Sequence, residues 1–314
     1  MRQMYRAGAF LAIIGLATPP VAHAQSPGEV PAVYQPQIQK FLGARGTALG
    51  DAIGSDEYDI EAMYQNPATL TFLRNSSLVV DQRHDYDNHV FGENIAARVF
   101  SNRFNAVGIG LGVEHAGKLS KGGLFNFMQE DLDVGYAFRL AGLSSSLSLG
   151  VLGNFRLGKD DSASRSAAQF SFGLMYSPSP GTSYSVILRG FGTDIAYSSL
   201  PVNGENMTRG ALSQIQKSLE VGSTMRYPSE GTSPYLTISI AGEKDFVTKV
   251  LRVRGGVEAI LMGMLSLRLG YVNAEVRQLR YGAGIAVGRL AFDYAVMPTI
   301  GAGRFDELTL KVVF

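Results

Sequence analysis

The 314-residue sequence contains no cysteine and no tryptophan. Without cysteine there is no disulfide framework, no thiolate metal site and no cysteine nucleophile. Charge is also scarce. Only 18% of residues are charged, and 28 basic side chains nearly cancel 27 acidic ones, leaving a formal net charge of +1. A nucleic-acid surface needs a basic excess, so no nucleic-acid partner is expected. At 46% hydrophobic residues the chain is too apolar for a disordered tail. No run reaches the roughly 18 apolar residues from which a membrane helix is built.

One compact apolar run does exist, from Ala7 to Ala17. It follows Arg2 and Arg6 and precedes Pro19, Pro20 and the small-x-small triplet Ala22-His23-Ala24. Basic start, short apolar middle and small-residue cleavage site are the parts of a secretory signal peptide. Residues 1–24 are assigned to it, and the mature chain is expected to start at Gln25.

Glycine, with 37 residues, is abundant, and it takes part in a period of two. In Val107-Gly108-Ile109-Gly110-Leu111-Gly112-Val113 large apolar residues alternate with glycine. Leu265, Leu267, Leu269 and Tyr271 alternate with Ser266, Arg268 and Gly270, and Leu290, Phe292, Tyr294 and Val296 with Ala291, Asp293 and Ala295. Such alternation places one set of side chains on each face of a strand. Marking every run predicts strands at 77–85, 89–100, 104–115, 129–140, 145–157, 168–176, 183–191, 217–227, 234–242, 249–261, 264–273, 279–287, 289–297 and 306–314. Most are about nine to thirteen residues long, enough to cross a bilayer at a tilt. The expected fold is all-β: a closed antiparallel transmembrane β-barrel of about fourteen strands over residues 77–314, preceded by an N-terminal plug segment over 25–76.

Connections support one orientation. Those after even-numbered strands, such as 101–103, 262–263 and 288, are short, whereas those after odd-numbered strands, such as 116–128 and 192–216, are mostly longer. Short turns belong to the periplasmic side of an outer-membrane barrel, so both termini are expected there. Leu308, Leu310, Val312 and Phe314 alternate up to a terminal aromatic residue. This ending resembles the signal by which bacterial barrels reach their insertion machinery, with Phe314 as its last residue.

With the large apolar set facing outer-membrane lipid, Asp131, Asp133, Arg139, Arg156, Arg189, Glu220, Arg226, Arg252, Arg254, Glu258, Arg268, Asp293 and Lys311 point into the lumen. Facing lipid near the midplane, each basic one would cost about 2–4 kcal/mol. Gly108, Gly110, Gly112, Gly135, Gly150, Gly173, Gly222 and Gly270 share the inward phase and leave room for a filler. The natural filler is the stretch before the first strand, read as a short helix over 37–42 followed by a small-residue segment.

That stretch carries a family resemblance. Gly43-Ala44-Arg45-Gly46-Thr47-Ala48-Leu49-Gly50-Asp51-Ala52 resembles the G-A-R-x-x-A-[LM]-G-x-A opening of FadL/PorV-like outer-membrane proteins. Asp59-Ile60-Glu61-Ala62-Met63-Tyr64-Gln65-Asn66-Pro67-Ala68 resembles their D-x-x-A-x-x-x-N-P-A signature. Asp51 and Thr69 stand where the family often has glycine. The resemblance implies a plug inside the barrel, with Gly43, Ala44, Arg45, Leu49, Gly50, Asn66, Pro67 and Ala68 as its plug and gating residues. Arg45 is expected to pair with an inward carboxylate, with Asp131, Asp133, Glu220 and Asp293 as candidates. The resemblance implies two roles. FadL-type members pass hydrophobic, fatty-acid-like molecules through the outer membrane, and PorV/PorQ-type members serve secretion or assembly complexes as accessory subunits. No cofactor, metal or catalytic residue is expected, and the chain is not expected to be an enzyme.

Apparent catalytic motifs have plain structural readings. Gly153 to Lys159 has phosphate-loop spacing, but Asp160 replaces the Ser or Thr that would hold magnesium. Asp81, His84, Asp85, Asp87 and His89 cluster at the first hairpin and are read as a solvated turn. Ile195, Tyr197, Leu200, Met207, Leu212 and Ile215 make the longest loop a candidate apolar outer cap.

Overall fold

The computed structural model describes residues 42–85, 90–116, 127–140, 146–159, 164–193, 201–202, 205–206, 217–228, 235–247, 249–273, 277–299 and 303–314. The signal peptide, most of the expected helix over 37–42, Asp87, His89 and nearly all of the longest loop lie outside them.

Fourteen strands form the wall. They are β1 (Ser77–Asp85), β2 (Val90–Ser101), β3 (Asn105–Ala116), β4 (Phe127–Arg139), β5 (Leu147–Lys159), β6 (Ser164–Ser179) and β7 (Thr182–Gly192). There follow β8 (Ser218–Tyr227), β9 (Leu236–Asp245), β10 (Leu251–Leu261), β11 (Leu265–Asn273), β12 (Arg277–Val287), β13 (Leu290–Thr299) and β14 (Gly303–Val313). Each pairs antiparallel with its chain neighbours, and β1 pairs with β14 to close the barrel. Closure removes the strand edges that lipid could not satisfy. A two-residue pairing, Pro201–Val202 with Glu205–Asn206, lies outside the wall.

Alternation in the sequence becomes an inside-out protein. Leu111, Leu132, Phe172, Leu267 and Phe292 are exposed on the outer face, while Asp133, Glu220, Arg254, Glu258 and Arg268 are buried within. That arrangement suits a barrel whose outer solvent is lipid. Val99 and Phe100 are both exposed because a register shift between Arg98 and Phe100 turns two adjacent apolar residues outward.

The strands run longer than predicted at one end. β6 starts at Ser164 and β14 at Gly303, so connections 160–163, 274–276 and 300–302 are short. The expected contrast between long and short connections is therefore confined mainly to 117–126 and 193–217. Polar residues such as Ser166, Arg304 and Asp306 extend hairpins beyond the apolar belt, where period-two hydrophobicity no longer signals them.

Inside the wall sits a second structure. Helix α1 (Gly43–Ala48) packs against β11 to β14. A 3-10 turn over Ile60–Tyr64 lies against β1 and β2, and another over Pro67–Thr71 against β3 to β6. Helix α1 thus falls in the small-residue segment, just beyond the expected helix over 37–42. Small residues admit it here: an ideal Cβ on Gly282 would lie 2.6 Å from the Cβ of Ala48.

Candidate functional site

The site is the lumen, where the inner segment meets the wall. Both 3-10 turns begin on a side-chain cap. Asp59 accepts from Glu61 N, and Asn66 accepts from Ala68 N at 3.1 Å with Pro67 at the first helical position. Pro67 and Ala68 press on the wall at glycines. An ideal Cβ on Gly150 would sit 2.4 Å from Ala68 N, and one on Gly173 would sit 1.9 Å from Asn66 Oδ1. Gly270 meets the backbone of Gly50 in the same way, at 2.3 Å, and Gly256 meets Leu49. Most of the lumen glycines are thus footprints of the inner segment, whereas Gly112 and Gly222 meet only residues of the wall.

Arg45 is the hub of that segment. Its Nε and Nη2 donate to Glu258 of β10 at 3.1 and 2.8 Å, and its Nη1 donates to Asp56 at 2.5 Å. Arg226 of β8 donates to the other oxygen of Asp56 at 2.7 Å. Arg268 donates to Glu258 at 2.6 Å and to Asp293 at 2.5 Å. Lys311 donates to Asp59 at 2.7 Å. Next to this node, Ala44 N donates to Thr309 Oγ1 at 2.8 Å.

None of the four carboxylates expected for Arg45 is its partner. Asp131 accepts from Arg156 at 2.7 Å, Asp133 accepts from Asn154, and Glu220 pairs with Arg189 and Arg254. Asp293 stands one guanidinium away, behind Arg268. The path of α1 along β11 to β14 brings Arg45 to Glu258 instead, a choice invisible to strand periodicity. Arg252 faces Asp245 at 3.6 Å, and Arg254 also reaches Glu243 at 2.6 Å.

The other end of the segment is clamped differently. Arg98 donates to the carbonyls of Leu73, at 2.5 Å, and Leu70. Arg139 donates to the carbonyl of Thr71 at 2.6 Å and stacks over Phe72. Two wall arginines therefore hold the carbonyl end of the Pro67–Thr71 turn, just before β1. At the seam, Phe314 N donates to the carbonyl of Ser76.

Three further acids escaped the sequence reading. Asp81 is not solvated: it is fully buried on the inner face of β1 and accepts from Thr309 and Asn94. A charged residue four positions from a hairpin suits either surroundings, and only the phase of β1 decides. Asp51 has φ 60°, a left-handed conformation that favours glycine, and it accepts from Arg280 at 2.6 Å. Glu61 is fully buried, and an ideal Cβ on Gly43 would lie 1.4 Å from its Oε1. Gly43, at φ 67°, is required there by both space and backbone. Extending the inward phase would also have found Arg98, Glu243, Arg280 and Glu307.

These surroundings divide the inner acids. Burial opposes the charge on Asp56, but Arg45 and Arg226 overcome it and hold the carboxyl well below its usual range. For Asp59, Lys311 and Arg45 likewise prevail over burial. Glu61 goes the other way: burial first, then Asp81 and Asp59, push it well above the usual carboxyl range, and Lys311 only partly offsets them. These surroundings favour the neutral form of Glu61 over its carboxylate. The linkage follows: above about pH 4.3 the unfolded segment has lost this proton while the seated one keeps it. Seating weakens as pH rises until Glu61 ionises in place. Glu61→Gln should flatten this dependence, measured as native-state proteolysis of the inner segment against pH. An unchanged slope would assign the dependence to other groups.

The lumen has two characters. Leu42, Leu49, Ile53, Ile60, Met63, Tyr64 and Leu70 of the inner segment form one apolar cluster with Val79, Ala96, Ala106 and Ala137 of β1 to β4. The ion pairs lie mostly along β7 to β14. No group of metal-ligating side chains occurs among the described residues.

No family model and no curated protein sequence matches the chain. Solved structures do. The Ralstonia pickettii toluene transporter TbuX aligns over 86% of this chain and 97% of its own, with TM-score 0.60 and 15% identity. The Pseudomonas putida toluene transporter TodX aligns over 86% and 96%, with TM-score 0.61 and 12% identity. A Pseudomonas aeruginosa FadL homologue aligns over 87% and 98%, with TM-score 0.55 and 11% identity. The chain shares the fold of these transport barrels.

Proposed function

We propose that the chain is a FadL-like barrel of the bacterial outer membrane that passes small hydrophobic molecules, with the segment before β1 as its plug. The observation that carries this reading is the filled, two-sided lumen. Ion pairs fasten the plug on one side, and a continuous apolar cluster against β1 to β4 lies on the other. A hydrophobic solute displaced along that cluster exchanges one apolar surface for another, whereas the charged side would desolvate against it. The named substrates of TbuX and TodX, both toluene transporters, support the same class of solute.

The start of β1 and the end of β14 lie at the end carrying the tight turns, which we propose faces the periplasm. Partners in this reading are outer-membrane lipid, the insertion machinery acting on the strand that ends at Phe314, and a hydrophobic ligand. The accessory-subunit role in a secretion complex has no comparable support. The test is uptake of radiolabelled toluene and of a long-chain fatty acid by cells lacking their own hydrophobic transporters. Expression of the protein should accelerate at least one of them. Equal rates with and without it would refute the reading.

A further inference from the structure

The turn between β10 and β11 is Leu261-Met262-Gly263-Met264-Leu265, with no polar side chain. Met262 and Gly263 both have positive φ, 54° and 69°, the pattern of a type I′ hairpin. Such a turn usually carries Asn or Asp at its first position, yet here a methionine takes the left-handed conformation. Its side chain is 95% exposed, and Met264 is 49% exposed. In water this would be an unexplained apolar tip.

The tip continues the outer belt. Leu261 and Leu265 end the outward rows Val257-Ala259-Leu261 and Leu265-Leu267-Leu269, and Val287 and Leu290 stand exposed beside the next turn. A second observation comes from the tyrosines, whose rings favour the membrane–water boundary. On β4, β6, β7 and β8 and just before β9, the exposed Tyr136, Tyr176, Tyr184, Tyr227 and Tyr235 cluster at the tight-turn end. On β11 to β13, Tyr271, Tyr281 and Tyr294 stand four to six residues above that end, and Tyr294 bonds Asp306 and Arg304 of the opposite end. The tyrosine boundary thus leaves the tight-turn end on one side of the barrel, where the exposed apolar side chains are aliphatic residues, methionine and the hydroxyl-free rings of Phe292 and Phe314. The polar turn at Asn102 and Arg103 belongs to the other side.

We infer that the β10–β11 turn is immersed in lipid, so that the membrane plane crosses the barrel on a slant. The occupant of this face is the acyl region of the leaflet next to the tight turns. Arg289, exposed in the neighbouring turn, has the length to reach phosphate heads from there. This inference rests on the membrane-barrel reading, and its test separates the two.

Because the chain lacks tryptophan, each reporter is unique. Met262→Trp, Leu267→Trp in mid-belt and Arg103→Trp at the opposite turn are reconstituted in phosphatidylcholine vesicles brominated on the acyl chains. Met262→Trp should emit at short wavelength and lose intensity to the bromolipid as Leu267→Trp does. Arg103→Trp should respond to aqueous acrylamide instead. Acrylamide quenching of Met262→Trp, with Leu267→Trp still quenched by lipid, would overturn the immersion alone. Loss of bromolipid quenching at both sites would overturn the membrane barrel itself.

Discussion

A barrel lacking residues 26–60 is expected to conduct ions far better than the wild type in planar bilayers. The deletion removes α1 and the Arg45 hub but keeps Asn66, Pro67 and the arginine clamp before β1. Fourteen strands enclose more than side chains alone can fill, since eight already give a filled interior and sixteen an open channel. Arg45→Ala should act in the same direction, as flicker. It strips one cation from Glu258 and Asp56, both buried, and breaking a buried pair in this way costs about 3–5 kcal/mol. That cost shifts the closed-to-open ratio by more than about a hundredfold. Arg45→Met combined with Glu258→Gln should flicker less than Arg45→Ala, because Asp56 keeps Arg226 and Asp293 keeps Arg268. If the shortened barrel folds, as judged by heat-modifiable gel mobility, and conducts no more than wild type, the lumen is closed by the wall.

The second expected result concerns which end of the plug moves. The Pro67–Thr71 end is tied covalently to β1 and held by Arg98 and Arg139, so it is expected to act as the hinge. The α1 end is held against the wall by side-chain and backbone contacts, so it is expected to be the end that releases. Cysteine pairs can be introduced cleanly into a chain with none. Ser55 and Thr224 suit one pair, beside the Arg45–Asp56 node, since their hydroxyl oxygens lie 2.8 Å apart. Thr71 and Ser148 suit the other, with their hydroxyl oxygens 2.9 Å apart. Side chains that already meet this closely lie near the spacing that a disulfide needs. Oxidising the Ser55–Thr224 pair should abolish uptake, and a reductant should restore it. Oxidising the Thr71–Ser148 pair should leave uptake near the wild-type rate. The opposite pattern would reverse hinge and latch.

The wall was legible because each residue meets its solvent independently. Leu267 faces lipid and Arg268 the lumen whatever the rest of the chain does, so period two alone found all fourteen strands. Their outer ends were less legible: around Ser164 and Gly303 the ladder runs on into water, where both faces are polar. The lumen residues followed from the same phase, but their pairing did not. Arg45 meets Glu258 because α1 turns toward β11 to β14, and that turn depends on Gly256, Gly270 and Gly282, scattered across three strands. Asp81 was misplaced for a related reason. Near a hairpin, a carboxylate is compatible with either side of the wall, and the polar neighbours that betray its burial, Asn94 and Thr309, lie far off in sequence.

The seam between β1 and β14 has a kinetic consequence. Nine residues of β1 pair with the last strand of the chain, and Ala44 bonds Thr309, 265 positions away. Contacts of such separation form late, because their loop-closure entropy comes before any reward. The segment before β1 must therefore wait, unfastened, while the strands up to β13 assemble. It has to be gathered into the lumen before β14 docks, since a sealed ring leaves only its two mouths for entry. Whatever delays the chain's last residues thus lengthens the exposure of its first, and a fault at Phe314 would surface as an empty barrel with its N-terminal part stranded outside.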